Sequence, residues 1–221
     1  MRNIVWFRRD LRIGDHPALI SAMEGADEIV PVFILDKQQI SEAGSKLLAY
    51  MSQSLRALDE SLGNRLHIIE GDQIEVLKEL IALYDVKEVH ISTEYERYGA
   101  ERDARVEAAG IPLVRTGSPY AVAPGRVVKP SDATPYKVYT PFYKAWCTHG
   151  WRAPAKLRKR SRRLSLQINT VHFLTFQFLQ EQPSSKLVKP RLLSGLRNLL
   201  RMVSIVMTRT VILQVSMAHQ R

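Results

Sequence analysis

Charged side chains crowd two short stretches of this 221-residue chain. Arg8, Arg9 and Arg12 fall within five positions, with Asp10 among them and Asp15 just beyond. Three guanidinium groups this close have the donors to bind a phosphate, but Asp10 and Asp15 have the charge to neutralise part of them, so structural pairing is the default expectation. Glu94, Glu96, Arg97, Arg102 and Asp103 form the second stretch. They either line a ligand site or make ion pairs at a helix start, contributing about 0.3–0.5 kcal/mol each. Other chemistries lack their signatures. The chain has neither a G-x-G-x-x-G after its first strand nor a P-loop or an H-E-x-x-H, which disfavours a dinucleotide dehydrogenase, a P-loop enzyme and a zinc hydrolase. The histidines are scattered: His16 is read as a first-turn helix residue, and His67 and His90 as strand residues, rather than as metal ligands. Cys147, the single cysteine, is read as a buried small apolar residue and excludes an intramolecular disulfide.

What positions these groups is an alternation of strands and helices. Short β-branched or aromatic runs at Asn3 to Phe7, Glu28 to Leu35, Leu66 to Glu70, Lys87 to Ser92 and Ile111 to Arg115 predict strands. Between them, Asp15 is placed to cap a helix through Ala18, Leu19, Ala22 and Met23 that stops at Gly25. Leu47, Leu48, Met51, Leu55, Leu58 and Leu62 make a helical stripe over Lys46 to Leu62, and helices are also predicted over Asp72 to Tyr84 and Arg97 to Ala109. Strand–helix alternation implies an α/β fold: a doubly wound, Rossmann-like, five-stranded parallel sheet. Ligands of such sheets lie at the carboxyl ends of the strands near the topological switch point. That edge comprises Arg8 to Gly14, Asp36, Gly71 to Gln73, Thr93 to Tyr98 and Thr116 to Tyr120.

The net charge of +10 is unevenly spread. Residues 1 to 150 carry 18 Lys and Arg against 21 Asp and Glu, and the remaining 71 carry 14 against 1. A basic arm for nucleic acid is one reading of that tail. Its aromatic residues, Phe173, Phe176 and Phe178, interleave poorly with the cations, and its apolar residues keep no sustained helical period. A hydrophobic content of 45% excludes a chain disordered throughout. No apolar run approaches the roughly 20 residues that span a bilayer, and the arginine-rich start is neither a signal peptide nor an anchor. A reducing compartment, the cytoplasm, is expected.

Four strings are more specific: WFRRDLRIGDHPAL (Trp6 to Leu19), VPVFILD (Val30 to Asp36), EYERYGAERD (Glu94 to Asp103) and PYKVYTPFYKAW (Pro135 to Trp146). In order and spacing they resemble the amino-terminal half of DNA photolyases and cryptochromes, over about residues 2 to 154. The resemblance implies an α/β antenna domain over residues 1 to 133 and the start of an interdomain connection over 134 to 155. In the family a larger helical domain follows, carrying FAD and the groove for a flipped-out cyclobutane pyrimidine dimer. Light-driven electron transfer from the reduced flavin splits the dimer, and an antenna pigment passes energy to the flavin.

The resemblance also selects among pigments. Folate-binding members carry an Asn-Glu pair where this chain has Tyr98 and Gly99. The string is closer to relatives that bind a deazaflavin, which is therefore favoured over methenyltetrahydrofolate. Residues matching their pigment contacts are Phe33, Ile34, Glu94, Glu96 and Arg102, with Lys46 added as a neighbour. After Ala155 the family pattern is lost, and the basic tail over residues 156 to 221 is expected to be out-of-frame translation following a frameshift between about Ala155 and Leu187. On that reading the FAD site is absent and the product is a truncated photolyase, inactive in repair alone unless a separate chain supplies the helical domain. Damaged DNA is the partner of full-length members. The alternatives are a cryptochrome-like photoreceptor or freestanding pigment-binding module, and a basic nucleic-acid-binding protein acting through the tail.

Overall fold

The computed structural model describes residues 1–156. The basic tail and the proposed frameshift lie outside these described residues, apart from Lys156 at their end. They form two compact units: Met1–Pro119 together with residues 153–156, and Tyr120–Arg152.

The first unit is a five-stranded sheet. Its strands are β1 (Arg2–Phe7), β2 (Glu28–Leu35), β3 (His67–Glu70), β4 (Val86–Ile91) and β5 (Leu113–Arg115). They run in the order β3-β2-β1-β4-β5, and every neighbouring pair is parallel. The expected doubly wound α/β fold is therefore present. Chain order reverses between β1 and β4, so a crevice opens beside the carboxyl end of β1.

Both faces of the sheet are covered, which is why β1 and β2 read as nearly unbroken apolar runs. On one face Ile4, Trp6, Val30, Val32, Ile34, Val89 and Ile91 pack with residues of α4 (Gln73–Tyr84) and α5 (Arg97–Ala108). On the other, Val5, Phe7, Ile29, Phe33 and Leu35 meet α1 (Pro17–Glu24) and α3 (Ser45–Ser61). Each fully buried Leu, Ile or Phe here contributes roughly 1.5–3 kcal/mol relative to exposure. A short helix, α2 (Lys37–Glu42), follows β2 and was not expected from the sequence. Its six residues are too few to display a full apolar stripe.

The cap of α1 is a correction. Asp15 sits at φ 50°, in the left-handed region, and the cap is His16, whose ring Nδ1 accepts from the Leu19 amide at 3.1 Å. Pro17 supplies the preset φ of the first helical position, which hands the capping role to the residue before it. By contrast Asp72 caps α4 as a carboxylate should, accepting from the Ile74 and Glu75 amides.

In the second unit, α6 (Tyr139–His149) buries none of its residues. Tyr139, Tyr143, Trp146 and Trp151 stack in series, with centroids 5.8, 6.4 and 4.8 Å apart. Cys147 lies on this helix and is exposed, contrary to the expectation of burial. A helix with no buried face offers no interior position to a small apolar side chain.

Candidate functional site

The residues at the carboxyl end of β1, past its last pairing with β4 at Val5, border a cleft. Trp6, Phe7, Arg8 and Arg9 supply one wall, Phe33, Ile34 and Asp36 at the end of β2 another, and Glu94, Tyr98 and Arg102 the third. Gln39 and Gln73 complete the lining of about 100 Å³. This is the crevice at the switch point that parallel-sheet topology anticipates.

The two charged stretches meet beside it. Arg8, only 6% exposed in its side chain, donates through Nη1 to Asp103 Oδ1 at 2.6 Å, and its Nε lies 3.1 Å from Glu94 Oε1. It also donates to the Ser92 carbonyl oxygen. Arg102 donates to Asp103 Oδ1 through Nη2 at 2.7 Å and Nε at 3.0 Å, and to Glu94 Oε1 at 3.3 Å. Two guanidinium groups and two carboxylates thus balance in the interior, the condition under which buried charge is tolerated. Burial, then the neighbouring Arg102, pull Arg8 below its ordinary pKa, and Glu94, Asp103 and Asp10 oppose the shift. Arginine stays charged under such forces. Both guanidinium groups also lie over the Trp6 ring, at 5.2 Å for Arg8 and 5.0 Å for Arg102.

The arginines are structurally paired as expected, but their main partners differ: Asp10 acts on Arg8 only at longer range. Arg8 is satisfied by Glu94 and Asp103, far along the chain, and Arg9 by a fork of 2.8 and 2.6 Å onto Glu96. Arg12 donates to the Gly14 and Asp15 carbonyl oxygens. Asp10 turns inward instead: the Ser92 hydroxyl donates to its Oδ2, and His16 Nε2 stands 3.1 Å from the same oxygen. Burial pushes the Asp10 carboxyl up, but His16, Ser92 and the local backbone together outweigh it and hold the pKa at about 2. The Asp15 carboxylate accepts from the Ala155 amide at 2.8 Å.

Of the residues singled out as pigment contacts, Phe33, Ile34, Glu94 and Arg102 come together in the cleft lining. Glu96 stands outside it, but its fork orients Arg9, which does line it. Lys46 is exposed near the start of α3 and is not among the lining residues. Arg97, read as part of the same charged group, forms an exposed i,i+4 pair with Glu101. Sequence reasoning missed Trp6 as the ring-bearing floor, and it placed Asp36, Gln73 and Tyr98 on the ligand edge without naming them as pigment contacts. The available signal was position: all four lie at or just beyond carboxyl ends of neighbouring strands.

Asp36 organises the open side of the cleft. Its Oδ2 accepts from Gln73 Nε2 at 2.7 Å and from the Tyr98 hydroxyl at 2.5 Å. Burial, then the bond to Asp36, raise the Tyr98 pKa, so the phenol remains the donor. Apolar walls, an indole floor, guanidinium groups engaged with Glu94 and the Asp36 carboxylate as acceptor suit a planar heteroaromatic ring with an N–H donor. The volume does not yet admit one whole, since enclosing sites usually measure some 300 Å³ or more. No group of histidine, cysteine and acidic residues able to hold a metal occurs among the described residues. No helix among them is long and apolar enough to cross a membrane.

A model of the DNA photolyase family matches residues 3–160. The deoxyribodipyrimidine photo-lyase of Streptomyces griseus is 34% identical over 160 residues, covering 67% of this chain and 35% of that protein. Cryptochrome-2 of Gallus gallus is 31% identical over 150 residues, covering 64% of this chain and 26% of that protein. Among solved structures, an archaeal photolyase from Sulfolobus tokodaii, described with two FAD molecules, superposes with a TM-score of 0.57 at 25% identity. That match covers 70% of this chain and 36% of its counterpart. The chain therefore spans about a quarter to a third of the length of these three relatives.

Proposed function

The chain belongs to the DNA photolyase family, and from that premise we propose that residues 1 to 133 are an antenna domain holding a pigment ring in the cleft between Trp6, Asp36 and Arg102. The observation that carries this reading is the convergence of Phe33, Ile34, Glu94 and Arg102, separate in sequence, on one cleft at the switch point. A deazaflavin is favoured over methenyltetrahydrofolate. Tyr98 and Gly99 stand where folate-binding members have an Asn-Glu pair.

The pigment, when bound, supplies light absorption and energy transfer. The protein's part is placement. Phe33 and Ile34 exclude water from one edge, Trp6 backs the Arg8 and Arg102 guanidinium groups, and Asp36 accepts the ring donor. Glu94 and Asp103 hold Arg8 and Arg102 in position. On this reading residues 1 to 156 collect light and do not split pyrimidine dimers by themselves. The splitting, with damaged DNA as substrate, falls to FAD in the helical domain of family members. Similarity to cryptochrome-2 favours a second reading in which the same cleft serves a photoreceptor, distinguished by the absence of light-driven dimer splitting in the complete protein.

The test is titration of the purified chain with a 5-deazaflavin, FMN, FAD and methenyltetrahydrofolate, followed by absorption and fluorescence. Stoichiometric binding of a flavin-type ring, abolished by Asp36→Asn with Arg102→Met, supports the antenna role. Failure of all four to bind, or retention of binding in the double variant, overturns it.

A further inference from the structure

Tyr98 is the second residue of α5, which follows β4, whereas Asp36 follows β2. Between those strands lies β1, so the phenol reaches across the carboxyl end of β1, over two strand spacings of about 4.8 Å each. It is tied down at both ends of its ring system. The hydroxyl donates to Asp36 Oδ2 at 2.5 Å, and the ring lies 6.0 Å from the Arg102 guanidinium. Arg102 thereby has Tyr98 and Trp6 as aromatic neighbours, at 6.0 and 5.0 Å. Tyr98 is 37% exposed, so it stands at the solvent boundary, while Trp6 is 3% exposed at the floor.

The tyrosine offers the cleft the same two features that a planar pigment would: an aromatic face for the guanidinium and a hydrogen-bond donor for Asp36. We propose that Tyr98 is a removable cover, which closes the cleft through Asp36 and Arg102 and gives up both partners to an incoming heteroaromatic ring bearing an N–H donor. The identity of that ring rests on the antenna reading; the existence of the cover does not. Release is feasible because the phenol stands at the solvent boundary, and Asp36 keeps its Gln73 donor and Arg102 its carboxylate partners when the phenol leaves. The apparent affinity for a ring is then reduced by the fraction of molecules that are closed. One hydrogen bond to a charged acceptor biases such an equilibrium by roughly ten- to hundredfold.

The experiment uses the full chain carrying Trp146→Phe and Trp151→Phe, which leaves Trp6 as its single indole. Acrylamide quenching of Trp6 and FMN titration are compared with Tyr98 intact, Tyr98→Phe and Tyr98→Ala. A severalfold rise in quenching in Tyr98→Ala, a smaller rise in Tyr98→Phe, and FMN binding about tenfold tighter in Tyr98→Phe are expected. Unchanged quenching in a folded Tyr98→Ala overturns the cover, as does weaker FMN binding in Tyr98→Phe, which would make the hydroxyl a ligand contact. If the alanine variant does not fold, the phenylalanine variant decides by the same two signs. Raised quenching with neither FMN nor a 5-deazaflavin bound by any variant supports the cover and overturns the antenna reading.

Discussion

Gly99 turns a bare Cα toward the Glu94 side chain: a Cβ at position 99 would stand 2.5 Å from Glu94 Oε2 and 2.9 Å from Glu94 Cβ. Glu94 is the carboxylate that faces Arg8, Arg9 and Arg102, so the missing side chain at 99 sets the position of an acid wall. Gly→Ala in a helix ordinarily stabilises by about 1 kcal/mol. Here Gly99→Ala is expected to destabilise by about 1–3 kcal/mol, because the crowded carboxylate cannot retreat without leaving its arginines. Urea unfolding measures the sign, and a gain in stability would show that Glu94 shifts freely.

Asp103→Asn removes one of two carboxylates between two buried guanidinium groups. The expected loss is about 3–5 kcal/mol, the range for breaking rather than replacing a buried pair. Arg97→Ala, which breaks an exposed pair at 88% exposure, serves as the control and should stay within about 0.5 kcal/mol. Equal midpoints for the two variants in denaturant would show that the interior cluster carries no more than a surface contact.

Acid should loosen the loop after β1 through Asp10. Its folded pKa of about 2 lies below the unfolded value of about 3.9, so its contribution is complete above pH 4 and is lost as pH falls toward 2. The amount is on the order of 2 kcal/mol. In Asp10→Asn the slope of stability against pH between 4 and 2 should flatten by about that amount. An unchanged slope would place the acid sensitivity elsewhere.

Two histidines act in a different window and for a different reason. Burial lowers the pKa of His67 and of His90, with Asp59 and Glu88 respectively pulling the other way. His90 Nε2 lies 3.2 Å from Asn3 Nδ2 and 3.0 Å from Glu88 Oε2, while its Nδ1 is buried without a hydrogen bond. A lowered folded pKa means the fold binds fewer protons than the unfolded chain. Stability is then full above about pH 6.5 and declines as pH falls below it. Thermal unfolding at pH 7.5 and 5.5 should differ, and His67→Gln with His90→Gln should narrow the difference. A double variant as pH-sensitive as the parent would overturn the assignment.

The strands were legible because residues buried on both sides need no polar alternation: Ile29 to Leu35 is a β-branched and apolar run of strand length, and only the structure shows that it lies inside the sheet despite Pro31. The helices declared themselves through stripes such as Leu55, Leu58 and Leu62, and the switch-point rule pointed to the edge where the cleft lies. Short α2 escaped for want of periods, and the cap of α1 went to His16 because Pro17 outranks the ordinary preference for aspartate. The exposure of Cys147 was unreadable, since one residue's burial depends on what packs against its helix.

The order of apolar and polar residues alone determined a parallel α/β sheet, and four strings marked its family, because burial periodicity and local motifs are properties of neighbours along the chain. Only the tertiary structure decided that Arg8 pairs directly with Glu94 and Asp103, and that Tyr98 reaches Asp36. Those pairings join residues tens of positions apart. They depend on strand order, which places β1 between β2 and β4 and is set by the packing of the whole sheet.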